Sequence, residues 1–411
     1  MRETTPGALG WATTGSSGGE ARALVVTGQQ IGAGWTPALS VVKALMALEV
    51  ARRTSGEAVY WLADEDHDRL EVARTVGLRE GRLVRHTFRF DAPEGTATGW
   101  LPWTEAHDDQ ARALWGTVHA AVEPTLRGHV LGLGGPLWTR GLRPFSPTRD
   151  GDRKGIQPEL ERWRALGLEA DLLRQADRLR AEGAPVPLDP GTQATWFHLD
   201  PTRGVRRRLE PGAPLPPESW LSPGAALRPL LQSLLLPVTH VVLGPAERAY
   251  WRLTEPLWER VGLEPPKIVP RPSVVLVPQG AHLRLDQLAD LRAGRWEALP
   301  TAPGLLPSEL ALPPVDLGWS PAIAQRIEAE LAHLRQRLAR LDRRVQRERA
   351  RELLGLDPER LRQQLFPFDQ PQERVLPGIL WLQRPAWLDA VAEALTSDRD
   401  VHLIPVQDPL P

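Results

Sequence analysis

Five consecutive residues, Asp64, Glu65, Asp66, His67 and Asp68, set four carboxylates and an imidazole directly after an apolar run, Ala58 to Ala63. Mutual repulsion in such a group raises some carboxylate pKa values and holds His67 cationic more readily. The chemistry on offer is general-base work, or capture of the ammonium of an amine substrate. His67, Asp66 and Glu65 are therefore the candidate catalytic residues. Imidazole with carboxylates also suits a divalent ion, but residues at a strand end alternate in direction, so at most two or three could reach one centre. No metal ligands are assigned. The plainer alternative is a solvated acidic turn that caps the next helix.

Two further apolar runs break off in the same way. Ala23 to Val26 leads into T-G-Q-Q-I-G-A-G, Thr27 to Gly34, and Val238 to Leu243 leads into G-P-A-E, Gly244 to Glu247. The glycine-rich stretch offers backbone N–H groups and a helix start, which together favour a phosphate or carboxylate. Its G-x-x-x-G-x-G spacing matches neither the dinucleotide fingerprint nor the Walker A loop. Gln29 and Gln30 add side-chain amides that can donate and accept hydrogen bonds. Glu247 falls in a first helical turn, where an acidic residue suits the helix dipole and by itself requires no ligand.

Short continuous apolar runs are the mark of strands buried on both faces of a parallel sheet, and open sheets bind ligands beyond the carboxyl ends of their strands. If the three strands are neighbours, the three polar clusters share one crevice. After the first strand, Thr36 is the expected N-cap and Pro37 the first residue of a helix running to about Arg53. Lys43 and Glu49 are its only charges before the arginines, so the helix should be buried against the sheet. Between about Phe90 and Pro237 the pattern loosens into connecting insertions, with helices expected at Thr104 to Val122 and Ile156 to Glu182, and a strand pair in Thr192 to Leu209. A short buried helix follows at Leu227 to Leu236, then a helix at Ala246 to Val261. Ile268 to Val277 is a proline-interrupted edge strand.

Beyond a Pro- and Leu-rich loop, Ile323, Ile327, Leu331, Leu334, Leu338, Leu341 and Val345 form an apolar seam typical of a coiled coil or helical hairpin. The last segment, Val375 to Val406, packs back on the sheet. The expected domains are a Rossmann-like core, 1–90 with 237–280; inserted segments, 91–236; a helical arm, 281–365; and the returning segment, 366–411. The fold class is α/β, a Rossmann-like parallel sheet core with inserted connecting segments and a C-terminal helical coiled-coil arm.

Composition narrows the partners. In 411 residues, 50 basic side chains balance 51 acidic ones, which leaves no global field to gather nucleic acid or an anionic membrane. With no cysteine, disulfides, thiolate metal sites and a cysteine nucleophile are excluded. No apolar stretch approaches the roughly 20 residues that span a bilayer, and the N-terminus lacks a signal-peptide core. The expected location is the cytoplasm.

The strings T-G-Q-Q-I-G with Pro37 and Lys43, W-L-A-D-E-D-H-D-R-L-E-V, L-R-P-L-L-Q (Leu227 to Gln232), G-P-A-E-R-A-Y, I-V-P-R-P-S and P-Q-E-R occur in order along the chain. Together they resemble the bacillithiol biosynthesis cysteine-adding enzyme family, the cysteine ligases. The resemblance implies a ligase that joins the carboxyl of cysteine to the amino group of glucosaminyl malate, with ATP as activator and a divalent cation such as Mg2+ accompanying it. It also implies a homodimer through the helical arm. Thr27, Gly28, Gln29, Gln30, Gly32, Lys43, Asp68, Gly244 and Glu247 then form the substrate- or nucleotide-binding set. The glycine-rich loop and the helix opening at Pro37 would hold anionic groups, and His67 with Asp66 or Glu65 would orient or deprotonate the attacking amine. Two departures stand out: Trp35 and Thr36 occupy the place of a glycine pair usual in the family, and the arm is short. A nucleotidyltransferase acting on another small acid, and a non-enzymatic partner-binding protein using the arm, are the alternatives.

Overall fold

The apolar runs pair as an all-parallel sheet of five strands. Its order is Lys267–Pro270, His240–Leu243, β1 (Leu24–Gln29), β2 (Glu57–Leu62) and Leu142–Phe145. The computed structural model describes residues 22–116, 121–295, 299 and 320–407. The N-terminal stretch and most of the Pro- and Leu-rich loop lie outside the described residues. The three strands singled out by their polar ends are direct neighbours, with β1 between the other two. The stretch Ile268 to Val277 expected as one edge strand is divided: Lys267–Pro270, ending in a proline, lies at the sheet edge, and Ser273–Pro278 belongs to a separate two-stranded sheet. The opposite edge, Leu142–Phe145, lies within the stretch read as an insertion.

Helix α1 runs Leu39–Arg53 and packs on β1 and β2. It starts two residues later than expected, with Ala38 as N-cap. Thr36 turns its hydroxyl inward instead, donating to the Ala33 carbonyl at 2.7 Å and sharing a hydrogen bond with Thr75. As its composition implies, α1 is buried nearly all round, Lys43 and Glu49 included. Glu49 is neutralised on its own helix by Arg52 and Arg53 at 2.8 and 2.6 Å. The returning segment covers the helix start: Ala38 N–H donates to the Leu376 carbonyl at 2.7 Å and Gly378 N–H to the Trp35 carbonyl at 3.0 Å. Arg271 and Glu373, both buried, fasten the same segment through two hydrogen bonds of 2.8 and 3.0 Å.

The helical stretch expected at Ile156 to Glu182 is two helices, Gln157–Ala165 and Leu168–Ala181, parted by Gly167 at φ 67°. Trp196–Asp200 and Val205–Arg208 form the expected antiparallel pair, extended by Trp220–Pro223 into three strands.

The chain divides into two units, Met1–Val274 with Glu373–His402, and Val275–Gln372 with Leu403–Pro411. The first holds the parallel sheet. The second holds the seam on one helix of 34 residues, Pro321–Leu354, followed by Pro358–Leu365. Its small core gathers Val277, Leu291, Leu354, Leu361 and Leu365.

Candidate active site

A cleft of about 310 Å³ opens at the carboxyl ends of β1, β2 and the His240–Leu243 strand. Its polar lining is Gly28, Gln29, Gln30, Glu71, Arg228, Gln232, Glu247 and Tyr250; Trp61, Leu188, Leu243 and Trp251 give it apolar walls. The first and third sequence junctions therefore share one crevice. The acidic-imidazole group contributes to it only through the helix that follows, since none of Asp64 to Asp68 is among its lining residues.

Beneath the cleft floor lies Lys43, fully buried on α1. Its ammonium donates to the Gly28 carbonyl, to Gln29 Oε1 at 3.2 Å and to Glu247 Oε1 at 2.6 Å. Three donors meet three acceptors, so the side chain has nothing left for a ligand. Burial lowers the Lys43 pKa, with Glu247 pulling the other way. The other Glu247 oxygen accepts the Gly244 N–H at 2.8 Å, which closes the start of the Pro245–Trp251 helix and aims the carboxylate at the crevice. Gly28 lies where β1 meets β2 most tightly: a Cβ there would stand 2.5 Å from the Trp61 carbonyl oxygen. Thr27 is structural in its contacts, its hydroxyl donating to the Val242 carbonyl at 3.1 Å. Gly32 begins the single turn Ala33–Trp35, where a Cβ would stand 2.7 Å from the Thr36 carbonyl oxygen.

The start of α1 is not an open anion cradle. The N–H groups of Ala38, Ser40 and Val41 bond to Leu376, Pro37 and Ala38 carbonyls, and Gly34 N–H donates to His129 Nε2 at 3.4 Å. His129 is itself wholly buried, its ring stacked on Trp103 at 3.6 Å, and burial pushes its pKa down to about 3.

The five-residue group is dispersed by arginine. Asp64 is buried and accepts from Ser146, Thr148 and Arg127 at 2.6, 3.0 and 3.2 Å. Burial raises its pKa, against Arg127 and the two hydroxyls. Glu65 is buried beside Arg153 at 3.4 Å. Asp66 accepts from Arg228 at 2.6 Å, with Arg206 at 3.9 Å; burial works to raise its pKa, but the two guanidiniums outweigh it and hold the carboxyl well below the usual range. Asp68 caps helix α2 (Arg69–Ala73), accepting Glu71 N–H at 3.0 Å, which is the plainer acidic-turn role.

His67 reverses the expectation of a cationic ring. Its Nδ1 accepts from Arg206 at 3.2 Å, so the neutral ring carries its proton on Nε2. Burial and then Arg206 lower its pKa, against the weaker pull of Asp66. Beside burial, the Arg206 and Arg228 guanidiniums disfavour a further proton on the ring, with Asp66 and Asp68 opposing them.

Arg228 and Glu71 are cleft residues that sequence reasoning passed over. Both lie inside quoted strings, L-R-P-L-L-Q and R-L-E-V, and strand-end position alone pointed elsewhere. Gln30, with its amide nitrogen turned to Glu71, donates to that carboxylate at 2.9 Å. Among the described residues, no three His, Cys, Asp or Glu side chains are grouped as metal ligands.

A family model described as "Bacillithiol biosynthesis BshC, N-terminal Rossmann-like domain" matches residues 213–272. A relative from Thermus thermophilus, named "Putative cysteine ligase BshC", is 31% identical over 414 residues, covering 88% of this chain and 83% of its own. The chain belongs to the BshC family. A BshC relative of the same name from Salinibacter ruber is 26% identical over 457 residues, covering 92% of this chain and 82% of its own. The BshC-matched residues include Arg228, Gln232, Glu247 and Tyr250, one wall of the cleft.

Proposed function

We propose that this protein acts in bacillithiol biosynthesis as a cytoplasmic ligase joining the carboxyl of L-cysteine to the amino group of glucosaminyl malate. Amide formation is uphill from a free carboxylate, so ATP is the activating cosubstrate, with a divalent cation such as Mg2+ accompanying its phosphates. The observation that carries the reading is a bipolar cleft in a BshC family chain. Glu71 supplies negative charge, and the Glu247 carboxylate and Arg228 guanidinium, already paired with Lys43 and Asp66, face the same space around the ends of the strands. Both intended substrates carry an ammonium and a carboxylate, and such a cleft suits molecules of that kind. Gln29 and Gln30 add amides that fix orientation, while Trp61 and Trp251 give the cleft apolar walls. The same proposal includes a homodimer through the Pro321–Leu354 helix, on which Ile323, Leu334 and Leu341 are each about half exposed.

The test is incubation of the purified chain with cysteine, glucosaminyl malate, ATP and Mg2+, with the amide product followed by mass. Product that depends on ATP is the expected result, and release of AMP or ADP identifies an adenylate or an acyl phosphate. Absence of product, with the chain folded and all four components present, sinks the reading.

A further inference from the structure

Every carboxylate of the strand-end clusters is already engaged. Asp64 faces Arg127, Glu65 faces Arg153, Asp66 faces Arg228, and Asp68 caps a helix. Glu247 reaches the cleft, but one oxygen is held by Lys43 and the other by the Gly244 N–H. Glu71 differs from all of them. It lines the same cleft, and among the described residues it has no cation within ion-pair distance, only the amide of Gln30. Its backbone is fixed by the Asp68 cap, so the side chain is delivered from a defined turn.

We propose that Glu71 receives the ammonium group of the amine substrate in this cleft and takes its proton, serving as the general base of amide formation. The inference rests on the ligase reading above. In the step, the substrate ammonium gives one proton to Glu71, leaving neutral amine and carboxylic acid. The freed nitrogen lone pair attacks the ATP-activated acyl carbon; as the C–N bond forms and the tetrahedral adduct collapses, the C–O bond to the phosphate-containing leaving group breaks with its electron pair. The second nitrogen proton passes to solvent. The surroundings suit the role. Glu71 is exposed as a residue, and partial desolvation at the cleft, then Asp68 and Asp66, raise its pKa, with Arg228 opposing, which favours proton acceptance. Arg228 remains tied to Asp66 and does not neutralise it. His67, with Nδ1 turned to Arg206 and its ring outside the cleft lining, is less well placed to take that proton.

The experiment compares the full-length chain with Glu71→Gln, which keeps the shape and the helix cap, and with His67→Asn. Glu71→Gln should lower kcat by about 10²–10⁴-fold, leave the KM for cysteine near wild type, and abolish the acidic limb of the kcat/KM pH profile. The inference is overturned if Glu71→Gln retains that limb and its turnover, or if His67→Asn removes the limb instead. Should the wild-type chain form no amide, the ligase reading fails, and Glu71 is judged by calorimetry with D-glucosamine as the amine probe. A loss of about tenfold or more (about 1.4 kcal/mol) in affinity on Glu71→Gln supports ammonium capture, provided N-acetylglucosamine binds both proteins alike. Equal or absent glucosamine binding overturns it.

Discussion

Asp66 is bound by Arg228 at 2.6 Å and His67 Nδ1 by Arg206 at 3.2 Å, so both side chains are held by arginine before any ligand arrives. By the same reasoning Lys43 is a positioning residue. Replacing it with Met leaves the Gly28 carbonyl, Gln29 and Glu247 without their donor, and removing one partner of a buried pair costs about 3–5 kcal/mol. Urea unfolding of Lys43→Met should show a loss in that direction, moderated because Glu247 is partly solvated, and Lys43→Met combined with Glu247→Leu should recover part of it. His129 gives a prediction in pH. Its native pKa of about 3 lies below the ordinary histidine value of 6.5, so between those limits the unfolded chain binds a proton that the native state refuses. Stability from this group is full above 6.5 and declines as pH falls towards 3, by about 1.4 kcal/mol per unit. His129→Gln should remove that slope; identical slopes in the two proteins over pH 6.5 to 4 would refute the assignment.

At the scale of elements, the close contact of β1 with β2 sets the cleft floor. Gly28→Ala puts a methyl 2.5 Å from the Trp61 carbonyl oxygen and 2.7 Å from Trp61 Cβ. Neither strand can shift without disturbing the sheet, so the expected loss is about 1–3 kcal/mol. It should be visible as a lowered Tm and as loss of amide formation at temperatures where the variant is still folded. These strands are legible in the sequence because each is an unbroken apolar run ending in polar residues. Leu142–Phe145 is not, since L-R-P-F is short and carries Arg143 and Pro144, tolerated only at an edge. The late start of α1 escapes the N-cap rule, which looks for Thr36, whereas here a carbonyl of the returning segment, distant in sequence, satisfies Ala38. The roles within D-E-D-H-D are illegible for a similar reason. Within the expected strand pair nothing in R-R-R at Arg206 to Arg208 marks one arginine as different, and only the three-stranded sheet turns Arg206 inward, where it donates to Ser222 and Pro223 and faces His67.

At the scale of the whole molecule, the parallel sheet, the long helix and the family are all readable, because each depends on patterns spread over many residues. The proposed dimer depends on the seam of that helix. Leu334→Arg with Leu341→Arg places two charges on it, and sedimentation at micromolar concentration should move from dimer to monomer. A wild-type chain that sediments as a monomer removes the arm from the proposal and leaves the cleft untouched. The unit that holds the cleft is completed by Glu373–His402, which covers α1 and fastens Arg271. During synthesis, that unit must therefore wait until Glu373–His402 has been translated before α1 is covered. Its buried face stays uncovered while Val275–Gln372 is made, so this protein should depend on chaperones that shield nascent apolar surface.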